Sequence, residues 1–332
     1  MSDGPGPGRV LRIAGGSYEV ELDGGTVECI LGGRLKQGGT DQVAVGDRVR
    51  IDPADGGPGR ITEILPRESK LARKSPAGEK EQTIAANIDQ VAAVFSLAHP
   101  EPDLRMLDRL LVLAELNGLD AFVVVNKTDL AAGEAGPGGG VAGADGDDPR
   151  GDPGAGGGGG ALPDELAVYR ELGYDVLPTS ATEGKGLETL RERMAGAVTV
   201  LAGPSGAGKS SLLNAVIPDL DRRVGAVSER VGRGRHTTVN ATLIPLPGGG
   251  WVADTPGLQY LALWRLPPGE LAAAFPEFRP FLGTCKFNDC RHLEEPGCGV
   301  RKALDRGEIP ESRYGSYGAL LEEAENQRRP WE

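Results

Sequence analysis

An apolar run, Ala197-Val-Thr-Val-Leu201, leads straight into Ala202-Gly-Pro-Ser-Gly-Ala-Gly-Lys-Ser-Ser211 and then into Leu212-Leu-Asn-Ala-Val216. No other stretch narrows the fold so far. Strand, Gly-rich loop and helix in this order are the setting in which Gly203-x4-Gly208-Lys209-Ser210 becomes a phosphate cradle. Gly203, Pro204, Ser205, Gly206, Ala207 and Gly208 let the backbone curl around phosphate oxygens, and the helix N-terminus adds a favourable dipole. Lys209 brings a point charge to the β/γ phosphates, Ser210 a hydroxyl for Mg²⁺, and Ser211 continues the first helical turn. The pattern leaves open which nucleotide binds and why the cradle lies so late in the chain.

A second apolar run, Ala121-Phe-Val-Val-Val125, ends in Asn126-Lys127-Thr128-Asp129. An Asp in this N-K-x-D pattern accepts from guanine N1–H and the 2-amino group, a donor pair that adenine lacks. Asn126 and Lys127 brace the loop and the ring. One α/β unit later, Thr179-Ser180-Ala181 stands where a turn presents backbone N–H groups to guanine O6, with Ser180 and Ala181 the contacting residues. Downstream of the cradle, residues 222–235 carry five Arg against one Glu and lead to His236-Thr237-Thr238. Either Thr fits as the Mg²⁺ ligand that senses the γ-phosphate, with Thr238 preferred. The basic loop reads either as a solvated segment or as a contact for RNA phosphate. Asp254-Thr-Pro-Gly257 is a D-x-x-G motif: Asp254 holds the Mg²⁺ shell through water and the Gly257 N–H meets the γ-phosphate. Leu258 follows, where related hydrolases place a water-orienting Gln. An aliphatic side chain cannot orient water, so His236 becomes the candidate.

The order of these motifs is unusual. N-K-x-D at 126 and T-S-A at 179 precede the cradle at 203 and D-x-x-G at 254. The cycle is intact but opened between D-x-x-G and N-K-x-D, which is a circular permutation. The opening joins Gly257 covalently to whatever follows, so hydrolysis is expected to move the C-terminal module relative to the N-terminal one.

Residues 9–66 show five short strand patterns punctuated by Gly-Gly and Asp-Gly turns. They fit a small closed barrel of the OB type. On one strand Tyr18, Val20 and Leu22 alternate with Glu19 and Glu21, and Cys29 reads as an inert core residue. Residues 1–8 read as a disordered tail and residues 66–86 as a basic connector without periodicity. Residues 67–268 form the permuted nucleotide domain. Within it, 131–160 holds 14 Gly in 30 residues and reads as a flexible insertion. Residues 269–332 carry Cys285-x4-Cys290-x-His292-x5-Cys298. Three thiols and an imidazole at this spacing suit one tetrahedral structural Zn²⁺ rather than a catalytic one. The fold class is therefore multidomain α/β: an OB-like barrel, a circularly permuted P-loop GTPase domain and a zinc-binding helical module.

The net charge of −12 argues against nucleic acid taken alone, but the insertion carries five acids against one Arg and the Arg cluster stands apart as a local basic patch. No run approaches the roughly 18 apolar residues of a membrane span. The first residues lack the basic and apolar regions of a secretory leader. A cytoplasmic protein without a membrane partner is expected.

The barrel, the permuted order with Gly234-Arg-His-Thr-Thr238 and Asp254-Thr-Pro-Gly-Leu258, and the Cys-x4-Cys-x-His-x5-Cys spacing together resemble the ribosome small subunit-dependent GTPase A (RsgA) family. The resemblance spans nearly all of the chain apart from the tail and the insertion. It implies a GTPase that binds the small ribosomal subunit, contacts its rRNA and aids late maturation, with slow intrinsic hydrolysis stimulated by the subunit. It also implies that His236 acts on water. A monomer is expected. The competing reading is a GTP-dependent RNA-binding checkpoint module in which hydrolysis is incidental. A P-loop kinase is disfavoured, because N-K-x-D and D-T-P-G select and sense GTP without a phosphate-acceptor site.

Overall fold

The computed structural model describes residues 7–23, 25–33, 35, 43–54, 57–74, 81–131, 164–217, 220, 242–254 and 266–326. Five short strands come first: β1 (Gly8–Ala14), β2 (Ser17–Leu22), β3 (Gly25–Leu31), β4 (Arg48–Asp52) and β5 (Gly59–Ile64). They follow the order β1-β2-β3-β5-β4, and β4 pairs back onto β1 to close the barrel. β3 and β5 run parallel, as in an OB-like barrel. Tyr18 and Val20 of β2 join Val10, Cys29, Val49, Ile51 and Ile61 in its core, whereas Glu19 and Glu21 lie outside that cluster.

The expected connector differs from its reading. It contains an antiparallel ribbon, β6 (Lys70–Lys74) with β7 (Glu81–Ala86). A two-stranded ribbon is held by backbone pairing and needs no continuous apolar face, so it leaves no hydropathy period to find. The chain between barrel and ribbon is pinned by buried polar contacts. Arg67 grips Asp47 through Nε–Oδ1 (2.7 Å) and Nη2–Oδ2 (2.8 Å). Asn87 donates to Gly46 O (3.0 Å) and accepts from the Glu68 N–H (2.9 Å).

The nucleotide domain is built on β8 (Gln90–Ser96), β9 (Asp120–Asn126), β10 (Asp175–Pro178), β11 (Val198–Ala202), β12 (Thr242–Pro245) and β13 (Trp251–Asp254). Their order is β10-β9-β8-β11-β13-β12, parallel except for β12. The helices are α1 (Leu104–Leu116), α2 (Thr128–Ala131), α3 (Asp164–Glu171), α4 (Leu187–Met194) and α5 (Lys209–Val216). Strands with apolar residues at consecutive positions bury both faces. Val91, Ala93, Phe95, Val123 and Val125 pack towards Leu107, Leu110 and Leu111 of α1. Ala92, Val94, Phe122 and Val124 pack towards Leu190 and Met194 of α4 and Leu212 and Val216 of α5. Asp103 caps α1, accepting from the N–H groups of Arg105 and Met106. The barrel and this sheet are continuous, because β12 also pairs with β1 at Arg12↔Thr242.

The C-terminal part holds two 3-10 turns, Leu271–Ala274 and Pro276–Thr284, then α6 (Gly299–Asp305) and α7 (Glu311–Asn326). Phe275, Phe278 and Tyr317 stack among themselves and belong to the same apolar cluster as α1. At its centre Arg313 donates to Asp108 Oδ1 and to Glu277 Oε1, each at 2.6 Å, and the Tyr169 hydroxyl donates to Asp108 Oδ1 at 2.7 Å. Arg109 pairs with Glu323. Among the described residues no helix is long and apolar enough to cross a membrane.

Candidate nucleotide site and metal centre

The chain reverses its direction of travel across the sheet between β8 and β11, and ligands of parallel α/β sheets bind at the carboxyl ends of strands beside such a switch point. The sequence-singled loops meet there. The cradle follows β11, Asn126 ends β9, and Thr179-Ser180-Ala181 follows β10.

Gly203 (φ +145°) lies against the Val94 carbonyl, where any Cβ would overlap the oxygen. Gly208 (φ +90°) serves as N-cap of α5, and a Cβ there would overlap Asn126 Nδ2. The loop can therefore lie on β8 and against β9 only with glycine at both places. Lys209 Nζ donates to Gly203 O and Pro204 O, both at 2.8 Å, which holds the ammonium over its own loop. Burial pulls the Lys209 amine below its ordinary value. Ser205, Gly206, Ser210 and Ser211 are exposed around it, Pro204 is half-buried, and Ala207 is buried.

Asn126 is buried and ties three loops together. Its Nδ2 donates to Ala207 O of the cradle (3.0 Å), and its Oδ1 accepts from the Ala181 N–H (3.2 Å). Lys127 sits at φ +62° and donates to His99 O. Asp129 is held at both carboxylate oxygens: Ser180 Oγ donates to Oδ1 (2.6 Å) and Thr182 Oγ1 to Oδ2 (3.2 Å). The Ser180 hydroxyl is the main reason why the Asp129 carboxyl lies below its usual value. Each oxygen keeps a lone pair for an N–H on a ligand, so the arrangement can accept a paired donor edge such as that of guanine.

Asp254 is placed at the end of β13, beside the cradle strand. His236, Thr237, Thr238 and Gly257 lie outside the described residues, as do Leu258 and the Arg cluster at 222–235. So do most of the expected tail and the expected insertion.

Cys285, Cys290, His292 and Cys298 come together in the C-terminal part, their ligand atoms all within 4.8 Å of one another. His292 Nδ1 lies 3.5 Å from Cys285 Sγ and 3.4 Å from Cys298 Sγ, which makes Nδ1 the facing nitrogen. The Gly299 N–H donates to Cys285 Sγ (3.3 Å) and the Arg301 N–H to Cys298 Sγ (3.4 Å). The Tyr314 hydroxyl holds His292 O at 2.7 Å. Burial pushes the Cys290 thiol up to about 12. Three sulfurs and one ring nitrogen, with Cys298 and His292 buried and Cys285 and Cys290 half-buried, match the donor set of a structural tetrahedral metal site.

Two features of the nucleotide site escaped the sequence. Thr182 carries no signal of its own, being a hydroxyl two residues past Ser180. The segment after β8 packs on the cradle, with Pro100 beside Gly206 and Ser96 Oγ donating to Pro100 O at 2.7 Å. Its two prolines, Pro100 and Pro102, carry no nucleotide-binding signal in the sequence.

A family model described as RsgA GTPase matches residues 64–137 and 161–264. The chain is 45% identical over 322 residues to the small ribosomal subunit biogenesis GTPase RsgA of Gemmatimonas aurantiaca, covering 95% of this chain and 96% of that protein. The protein of the same name from Moorella thermoacetica is 43% identical over 316 residues, covering 95% and 96%. Among solved structures, YjeQ from Thermotoga maritima superposes with a TM-score of 0.72 at 33% identity, covering 96% of this chain and 98% of that one. YloQ, a circularly permuted GTPase, superposes at 0.71 with 27% identity, covering 99% and 98%.

Proposed function

The chain belongs to the RsgA GTPase family, and on that premise we propose that it hydrolyses GTP while bound to the small ribosomal subunit, assisting late maturation of that particle. The observation that carries this reading is the resemblance along almost the whole chain to relatives named small ribosomal subunit biogenesis GTPase. Hydrolysis is slow alone and stimulated by the subunit. The protein acts as a cytoplasmic monomer and touches rRNA, for which the Arg cluster at 222–235 supplies local positive charge within an acidic chain.

The geometry supports a division of labour. Asp129, fixed by Ser180 and Thr182, reads guanine N1–H and the 2-amino group, while the Ala181 N–H exchanges its Asn126 Oδ1 partner for O6. Asn126 and Lys127 keep this loop in register with the cradle. Residues 203–208 cradle the phosphates, and Lys209 exchanges its two carbonyl partners for β/γ oxygens. Ser210 and Thr238 would hold Mg²⁺ directly and Asp254 through water, and the ion supplies charge neutralisation on the β and γ phosphates. Gly257 N–H meets the γ-phosphate. His236 orients the attacking water, because Leu258 cannot. Cys285, Cys290, His292 and Cys298 hold one structural Zn²⁺, which stabilises the module and takes no part in the reaction. The domains are an OB-like barrel (9–66), the permuted GTPase domain (67–268) and the zinc module (269–332).

Co-sedimentation with purified small subunits tests the reading. Binding is expected to be strong with a non-hydrolysable GTP analogue and weaker with GDP. Equal, absent or nucleotide-independent binding would remove the subunit from the account.

A further inference from the structure

The hairpin formed by β12 and β13 lies between the two γ-phosphate-sensing stretches in sequence. Thr237 and Thr238 precede β12, and Asp254 ends β13. The structure shows that the barrel grips this hairpin at both ends. At one end, Arg12 of β1 is registered with Thr242 of β12, and Thr242 is registered with Asp254. A single rung thus runs from the barrel to the first residue of D-T-P-G. At the other end, the Trp251 indole N–H donates to Glu21 Oε2 of β2 at 3.1 Å. The Arg9 guanidinium of β1 lies 4.3 Å from the centre of the Trp251 ring. Arg9 Nη1 is buried without a hydrogen-bond partner among the described residues, and the ring face adds to the carboxylates of Asp89, Glu21 and Glu68 in offsetting the guanidinium charge.

The other side of the hairpin is equally constrained. β13 is registered with β11, the strand that carries the cradle, and the Trp251 N–H donates to Ala197 O at 2.9 Å. A strand of four residues held by pairing along both edges moves as a unit rather than bending. A displacement of the barrel at Trp251 is therefore delivered three residues further on, at Asp254.

We infer that the β12–β13 hairpin couples the barrel to the hydrolytic site, with Trp251 and Glu21 as the contacts through which a load placed on the barrel by the subunit shifts Asp254, whose unloaded position the pairing of β13 with β11 maintains. The inference rests on the proposed stimulation by the small subunit and adds the route by which a load on the barrel reaches the reaction. Misplacement by about 1 Å from a remote change can cost a reaction roughly 100-fold, so a loosened grip should be visible in turnover.

The test is steady-state GTP hydrolysis by the full chain, with and without saturating small subunits, for wild type, Trp251→Phe, Glu21→Ala and Glu21→Gln. Phe keeps the ring under Arg9 and loses the N–H donor, whereas Gln keeps an acceptor oxygen. Unstimulated turnover and KM for GTP should stay within about twofold in all three. Stimulated kcat should fall about five- to tenfold in Trp251→Phe and Glu21→Ala, and Glu21→Gln should restore it. Stimulation of both loss variants to the wild-type level overturns the inference. So does a fall in Glu21→Gln as deep as in Glu21→Ala, or a parallel loss of unstimulated turnover. Should Trp251→Phe fold poorly, the Glu21 pair carries the comparison. A wild-type protein that subunits fail to stimulate overturns the functional reading itself, which is a different result from unresponsive variants of a stimulated wild type.

Discussion

Asp129 shows how little of a binding residue's environment its motif contains. The N-K-x-D pattern identifies the carboxylate, but the two hydroxyls that fix its oxygens come from Ser180 and Thr182, about fifty residues away. Replacing Asp129 by Asn should weaken GTP by about 100-fold and raise affinity for xanthosine triphosphate, because the amide donates where the carboxylate accepted. Competition binding with both nucleotides reads this directly. The depressed Asp129 pKa has a consequence in pH. A lowered pKa keeps the carboxylate ionised further into acid, so guanine binding that needs the anion is lost only as pH falls through that lowered value. Ser180→Ala removes the first cause of the depression, so the acid limb of GDP binding should move upward in pH, as calorimetry across acidic buffers would reveal. Gly208 is legible from the motif as a cradle residue, but its contact with Asn126 is not. Gly208→Ala should abolish nucleotide binding and cost about 1–3 kcal/mol of stability through strain at positive φ, measurable by denaturant titration.

At the level of elements, apolar runs at consecutive positions announced β9 and β11. α7 was the hard case. A terminal helix over 319–328 is readable from Ala-Leu-Leu-Glu-Glu-Ala, yet the helix begins at Glu311. Its buried face includes Arg313 and Ser316, which are polar, together with Tyr317, Leu320, Leu321 and Ala324. Two glycines in its first half further mask the period. What compensates Arg313 is a pair of carboxylates on distant elements, Asp108 and Glu277, and no local pattern can announce such partners. Arg313→Met should cost about 3–5 kcal/mol, since it strands two buried acids, and the loss should appear as a lower denaturant midpoint. The metal cluster behaves differently. Its four residues are close in sequence, so the spacing itself carried the reading, and the geometry brings them within ligand distance. Chelation should release about one zinc per chain and loosen residues 285–298 in hydrogen exchange, while GDP binding changes by less than about twofold.

Across the whole molecule the permuted order of motifs was the most informative property of the sequence. Opening the domain between D-x-x-G and N-K-x-D places the barrel upstream and the metal module downstream of one nucleotide site. The order could not foretell how these parts are fastened. The barrel continues the central sheet through Arg12↔Thr242 and is pinned again by Arg67–Asp47. The C-terminal module shares an apolar cluster with α1. A displacement of that module on hydrolysis, expected from its covalent closeness to Gly257, would therefore have to carry α1 with it or break the Arg313 pairs. The barrel reaches Asp254 more directly, through the rung Arg12↔Thr242↔Asp254 of the hairpin. The proposed function has the small ribosomal subunit set the rate of a guanine-specific hydrolase. The direct measurement is GTP turnover by the purified full chain alone, with small subunits and with large subunits. Acceleration of about tenfold or more by small subunits only is the predicted result, and one turnover number in all three conditions would contradict the account.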